Sequence, residues 1–196
     1  KRVKRKTLMK YMLYMALVFY VVMVIAGLFM PQSSIKFWII TISYMFTNLG
    51  QYAYYLVMMI SIINTVEYNE YKNGERDEAI IASLRPFLTK LSSALVVLLT
   101  SVTYLIFGVT GITNQISSFE RETSLGLITE AEKLSSINGV LSGVSKIQTT
   151  GLMLVMGIVP AVLMAISYVL YKKHYILDED EYNRILLELD KRKEAE

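Results

Sequence analysis

The sequence has no cysteine, one histidine and three prolines, and only 19% of its 196 residues are charged. Without cysteine, disulfide scaffolds, zinc ribbons, thiol chemistry and iron–sulfur clusters are excluded together. His174 alone cannot build a multi-histidine metal site. A formal net charge of +3 is too small to carry a nucleic-acid argument, so no nucleic-acid partner is expected. Phosphate-cradling loops, nucleophile elbows and carboxylate pairs at useful spacing are missing too, so the chain reads as no enzyme and as holding no cofactor. What it has in excess is apolar. The chain is 54% hydrophobic, with eleven methionines and fourteen tyrosines. An ordinary soluble domain has about 45–50% apolar residues and about 25% charged ones.

The apolar residues come in blocks. A helix crosses the roughly 30 Å hydrocarbon core with about 20 mostly apolar residues. Residues 11–30, 37–63, 91–119 and 147–171 are four runs without a charge. They predict an all-α integral membrane protein with four transmembrane helices near 9–30, 37–63, 80–110 and 149–171. The helices of a soluble bundle would each show a polar face, and these runs do not.

Lysine and arginine set the expected orientation. The N-terminal segment, the connection 64–78 and the C-terminal tail together hold fourteen of them, against four in the connections on the other side. Both termini are therefore expected in the cytoplasm. The first run is too long for a signal peptide and no small-residue cleavage site follows it. A chain opening at Lys1 rather than Met is expected to be a piece of a longer protein.

The connection 64–78 is dense in charge and has Asn73-Gly74 as a turn signal, which reads as a solvated loop. The connection 113–146 is expected to be external and is long enough to need structure of its own. Thr129 and Glu132 have capping-box spacing, and Ala131, Leu134, Ile137, Leu141 and Val144 recur at helical spacing after them. A short amphipathic helix near 130–143 follows, lying on the outer surface or capping the bundle. In the cytoplasmic tail, 173–196, Asp178 and Asp180 offer N-cap oxygens, and Tyr182, Ile185, Leu186 and Leu189 form one stripe. That predicts an amphipathic docking helix.

All seventeen acidic residues lie outside the four predicted spans, whereas two bases lie inside the third. Lys90 falls about ten residues in, so roughly 15 Å deep, where a charge costs about 2.5–3.5 kcal/mol on insertion scales and demands a partner. Arg85 sits nearer the boundary and its long stem can reach the interface. Pro86 should loosen the helix beside it. In the second span Asn48, Gln51, Tyr52 and Tyr55 share one face. Such a face suits a sugar, whose apolar side stacks on rings while amides bind its hydroxyls, and equally suits packing between helices. Gly157, Ala161 and Ala165 form a small-residue stripe in the fourth span that predicts a close helix contact.

One stretch carries more specific information. From Thr65 to Glu78 the chain reads TVEYNEYKNGERDE, and Arg85, Pro86, Lys90, Ser93 and Ala94 follow on the third span. With Glu67, Tyr68, Glu70, Lys72, Gly74, Arg76 and Glu78 at their spacing, this resembles the signature of the glycoside–pentoside–hexuronide:cation symporters of the major facilitator superfamily. That group includes melibiose, lactose and raffinose carriers. The resemblance implies a twelve-helix fold whose last four helices are present here, in a sugar:cation symporter of the bacterial plasma membrane. Its partners would be membrane lipid, a sugar and an N-terminal transmembrane half. The coupling cation, Na⁺ or H⁺, would bind in that missing half. Lys90 matches the family's membrane-embedded lysine linked to sugar binding and cation coupling, and Tyr55 falls where an aromatic residue lies near the sugar. Arg85 stands where an uncharged polar residue is found, and Asn64 replaces an aspartate. The alternative from another class is a stand-alone four-helix membrane scaffold or partner subunit.

Overall fold

The computed structural model describes residues 4–195, so Lys1 and Arg2 of the basic N-terminal segment lie outside the described residues. Seven helices follow one another: α1 (Arg5–Phe29), α2 (Ser34–Asn73), α3 (Glu78–Ile106), α4 (Thr110–Ser124), α5 (Glu130–Ser142), α6 (Lys146–His174) and α7 (Glu179–Ala195). Among the described residues there is no strand. Four helices, α1, α2, α3 and α6, are long and apolar enough to cross a membrane. They are the four expected spans.

The chain divides into two compact units, one formed by residues up to Leu91 together with Gly157 onward, the other by Ser92–Met156. In the first unit α1 and α2 form a tight antiparallel hairpin. Ser33 caps α2 by accepting from the Lys36 amide at 3.2 Å. The Lys36 ammonium donates to the carbonyls of Gly27 and Met30 at 2.9 and 3.1 Å, satisfying the open C-terminal end of α1. Along the hairpin Gly50 lets the backbones meet. A Cβ there would lie 2.8 Å from the Met12 carbonyl oxygen and 3.0 Å from the Ala16 Cβ. Met9, Leu13 and Ala16 of α1, Tyr54 and Val57 of α2, and Met164 and Tyr171 of α6 make one buried cluster. The expected small-residue contact of α6 is present at Gly157, where a Cβ would fall 2.2 Å from Val24 Cγ2.

One difference from the sequence expectation concerns a helix end. α2 was expected to stop near residue 63 and yield to a loop over 64–78, but it continues to Asn73, leaving only Gly74–Asp77 as connection. Glu67 and Glu70 thus lie inside a span-bearing helix, beyond its apolar part, which corrects the acid-free description of these helices. α7 packs on this extension, as described below. The turn itself matches its signal, with Gly74 at φ 77° donating its amide to the Glu70 carbonyl at 2.9 Å. Pro86 sits within α3 without ending it, as the expected span required.

In the second unit, α3 ends at Ile106 rather than near 110 because Gly108 takes φ 63° and Val109 donates to the Tyr104 carbonyl at 2.9 Å, a Schellman closure. The Phe107 ring then covers Gly151 so closely that no side chain fits there, and Gln148 donates to the Gly108 carbonyl at 3.2 Å. α4, which the apolar pattern did not announce, ends at Gly126 in the same way. α5 forms where expected. Thr129 accepts from the Glu132 amide at 3.3 Å, and the Glu132 carboxylate accepts from the Thr129 amide at 2.8 Å. Those bonds, from the Thr129 backbone first and its hydroxyl second, hold the Glu132 carboxyl below its ordinary value.

Candidate substrate-binding site

The polar face expected on α2 is divided by the fold. Gln51 turns toward α1, and its amide donates to the Tyr20 hydroxyl at 2.6 Å. Asn48 donates to the Tyr44 carbonyl of its own helix at 2.8 Å. Tyr52 and Tyr55 remain exposed, at 69% and 44%. Gln51 is thus a helix-to-helix anchor, and a free surface for a ligand is left only at Tyr52, Tyr55 and the part of Asn48 not used locally. The buried side of α2 carries hydroxyl pairs the sequence did not single out. Tyr54 donates to Ser167 at 3.0 Å, and Ser61 lies 2.9 Å from the Tyr171 hydroxyl. These satisfy polar groups that would be costly to bury alone.

Arg85 and Lys90 lie on α3, which has no buried residue. Among the described residues no ion pair or hydrogen bond is made by either side chain. Lys90 is twelve residues from the start of α3, about 18 Å at about 1.5 Å per residue. No hydrogen bond or ion pair among the described residues links Lys90 to Tyr52 or Tyr55.

The seven residues of the 64–78 motif are brought together, and with α7. Arg76 reaches three carboxylates, Glu70 at 3.1 Å, Glu78 at 3.3 Å and Glu67 at 3.9 Å. The bond to Glu78 first, and the charge of Glu70 behind it, hold the guanidinium above its already high range. Asn69 donates to the Glu75 carbonyl at 2.8 Å and to Asp77 at 3.2 Å, fastening the turn to the helix that precedes it. Tyr68 carries the Lys72 ammonium over its ring, and Tyr68 and Tyr71 pack on Leu177, Ile185 and Leu189 of the tail.

A second junction escaped the sequence altogether. Arg5, at the first turn of α1, donates through its Nε and its backbone amide to Glu179 at the start of α7. Its guanidinium stands 5.6 Å from the Tyr182 ring centre. Burial pushes the Glu179 carboxyl up, but the Arg5 bonds outweigh it and hold the group below its ordinary range. Arg5 was one base in a basic run, with nothing to separate it from Lys4 or Lys6. Asp178, as expected, caps α7 by accepting from the Glu181 amide at 3.0 Å. Asp180 instead pairs with Lys4 at 2.8 Å.

Comparison with known proteins finds two relatives. Over 154 residues, 79% of this chain, it is 25% identical to a raffinose carrier protein of Pediococcus pentosaceus. Over 39 residues, 20% of this chain, it is 41% identical to a lactose permease of Leuconostoc lactis. The matched regions are 20% and 6% of those proteins, so the chain spans a fifth or less of the curated relatives it matches. No family model and no solved structure matches. The chain is a helical membrane protein with a distant, partial relationship to proteins named as sugar transporters rather than enzymes.

Proposed function

We propose that this chain is the C-terminal part of a sugar:cation symporter of the glycoside–pentoside–hexuronide type. It would hold the last four of twelve helices and part of the site for a galactoside or related oligosaccharide. The observation that carries the reading is Lys90, a base about 18 Å along an apolar helix that buries no residue. An ammonium at that depth needs a carboxylate or a hydrogen-bonded ligand. The rings of Tyr52 and Tyr55, turned away from the packed side of α2, are surfaces on which a sugar can stack. In this reading the helices that cover α3 and the carboxylates that hold the cation, Na⁺ or H⁺, belong to the larger remainder of a carrier. The sugar lies between two halves near the midplane.

The test is Lys90→Leu in the full-length carrier. Accumulation of sugar against a gradient should be abolished while insertion and abundance stay near normal. Lys90→Arg should fail largely as well, since it keeps the charge but not the compact shape. Uptake at unaltered rates in the leucine variant would rule the role out, and reduced abundance would mark Lys90 as structural. By itself the 196-residue chain should bind no sugar saturably. The same reading puts both termini on the cytoplasmic side of a bacterial plasma membrane and residues 113–146 outside. With no native cysteine to compete, a thiol probe should label Ser124→Cys from outside intact cells. Labelling only after permeabilisation would invert the topology.

A further inference from the structure

The last nine residues of α2, 65–73, are poorly made for a helix. Thr65, Val66, Asn69 and Asn73 rank well below alanine or leucine, and both aromatics of the segment lose rotamer freedom in a helical turn. A polar extension of this length is marginal unless something packs on it. What packs on it is α7. Ile185, 0% exposed, and Leu189 lie against Tyr68 and Tyr71. The Tyr71 ring has the Arg192 guanidinium 5.0 Å from its centre, and its carbonyl accepts from Arg192 at 3.1 Å. Lys193 pairs with Glu70 at 3.1 Å. At the other end α7 is fastened to α1 through the partly buried pair Arg5–Glu179.

We propose that α7 is a strap that holds residues 65–73 helical, and with them the turn that leads into α3. Its fixed end is Glu179 on Arg5. Its releasable end is the patch around Tyr71, where the Arg192 and Lys193 side chains are exposed and open to screening. Release would free Tyr68 and Tyr71 and leave the extension to its own weak propensity. The Arg76 bridges to Glu67 and Glu70, and the Asn69 bonds to Glu75 and Asp77, need that extension to be helical. Their loss would loosen the entry of α3, the helix that carries Lys90. Sugar recognition plays no part in this inference.

Amide hydrogen exchange on the chain in lipid nanodiscs tests it. Ile185→Asp places a carboxylate at the centre of the contact, whereas Leu187→Asp, on the exposed side of α7, serves as control. Exchange over 65–73 should accelerate on the order of tenfold or more in Ile185→Asp, with 43–60 unchanged and the control like the parent. Lys193→Glu should give a smaller acceleration than Ile185→Asp. Continued protection of 65–73 in Ile185→Asp would overturn the proposal, because the extension would then stand alone. Acceleration that spreads through 43–60 would also overturn it, since α7 would then be part of the whole fold rather than a strap.

Discussion

α1 and α3 carry similar promises in sequence and meet different fates. Both are long, both are apolar enough to span a membrane, and both have a base near one end. α1 buries six residues along its length, from Met9 to Ala26, whereas α3 buries none. Hydrophobicity does not separate them; shape and partners do. α1 has Ala16 opposite Gly50 of α2, so two backbones approach and the side chains around them interlock. α3 offers Leu95, Val96, Val97 and Leu98 in succession, all more than half exposed. An apolar surface needs no burial in lipid, so membrane residence alone says nothing about which helix packs on which. The polar chemistry divides the same way: on α1 the Arg5 guanidinium and the Tyr20 hydroxyl have partners, while Lys90 of α3 has none among the described residues.

Leu13→Ala against Leu98→Ala breaks this comparison most directly. Leu13 is 4% exposed and Leu98 60%. In the chain held in detergent micelles, the first should destabilise the α1–α2 hairpin by about 2–5 kcal/mol and the second by less than about 0.5 kcal/mol in denaturant titration. Equal effects would mean that α3 is packed after all. Next in size, Arg5→Gln should cost about 1.5–3 kcal/mol in the same assay, because Glu179 keeps its burial and loses its charged partner. Gly50→Ala should cost about 1–3 kcal/mol, since the added Cβ meets backbone at Met12. Gly139→Ala, where nothing lies within 4 Å, should stabilise α5 slightly, by about 0.5–1 kcal/mol. The smallest effect belongs to the Thr129–Glu132 cap. The Glu132 carboxyl is lowered from 4.5 in the folded state, so its contribution is present above that pH and is lost as pH falls through the lowered value. Helical signal from α5 should fade over that acid window in the parent and show no such dependence in Glu132→Gln.

Much of the architecture was legible in the residues, and the places where it was not have definite causes. The four apolar runs each became a long helix, α5 followed its capping box, and Asp178 followed its N-cap role. The end of α2 was misread because charge density in 64–78 speaks for water contact, and a helix flank contacts water as readily as a loop. Tyr68 and Tyr71 at helical spacing were the available signal, but their meaning depended on Ile185 and Leu189 more than a hundred residues away. On α2 the periodicity correctly grouped Asn48, Gln51, Tyr52 and Tyr55. It could not tell that Gln51 sits at the edge of that face, within reach of Tyr20.

By itself the sequence determined the class of the protein: four segments without charge, long enough to cross a bilayer, in a chain free of cysteine and nearly free of histidine. It also determined the local closures, because a cap or a left-handed glycine depends only on neighbours a few residues away. Tertiary structure alone decided which polar groups are used up and which stay free. Gln51 and Arg5 are committed to Tyr20 and Glu179 across 31 and 174 residues of chain, while among the described residues the Lys90 side chain has no such partner. The physical reason is that a hydrogen bond or ion pair is a property of two groups at about 3 Å, and no periodicity within one helix specifies what the fold brings to that distance.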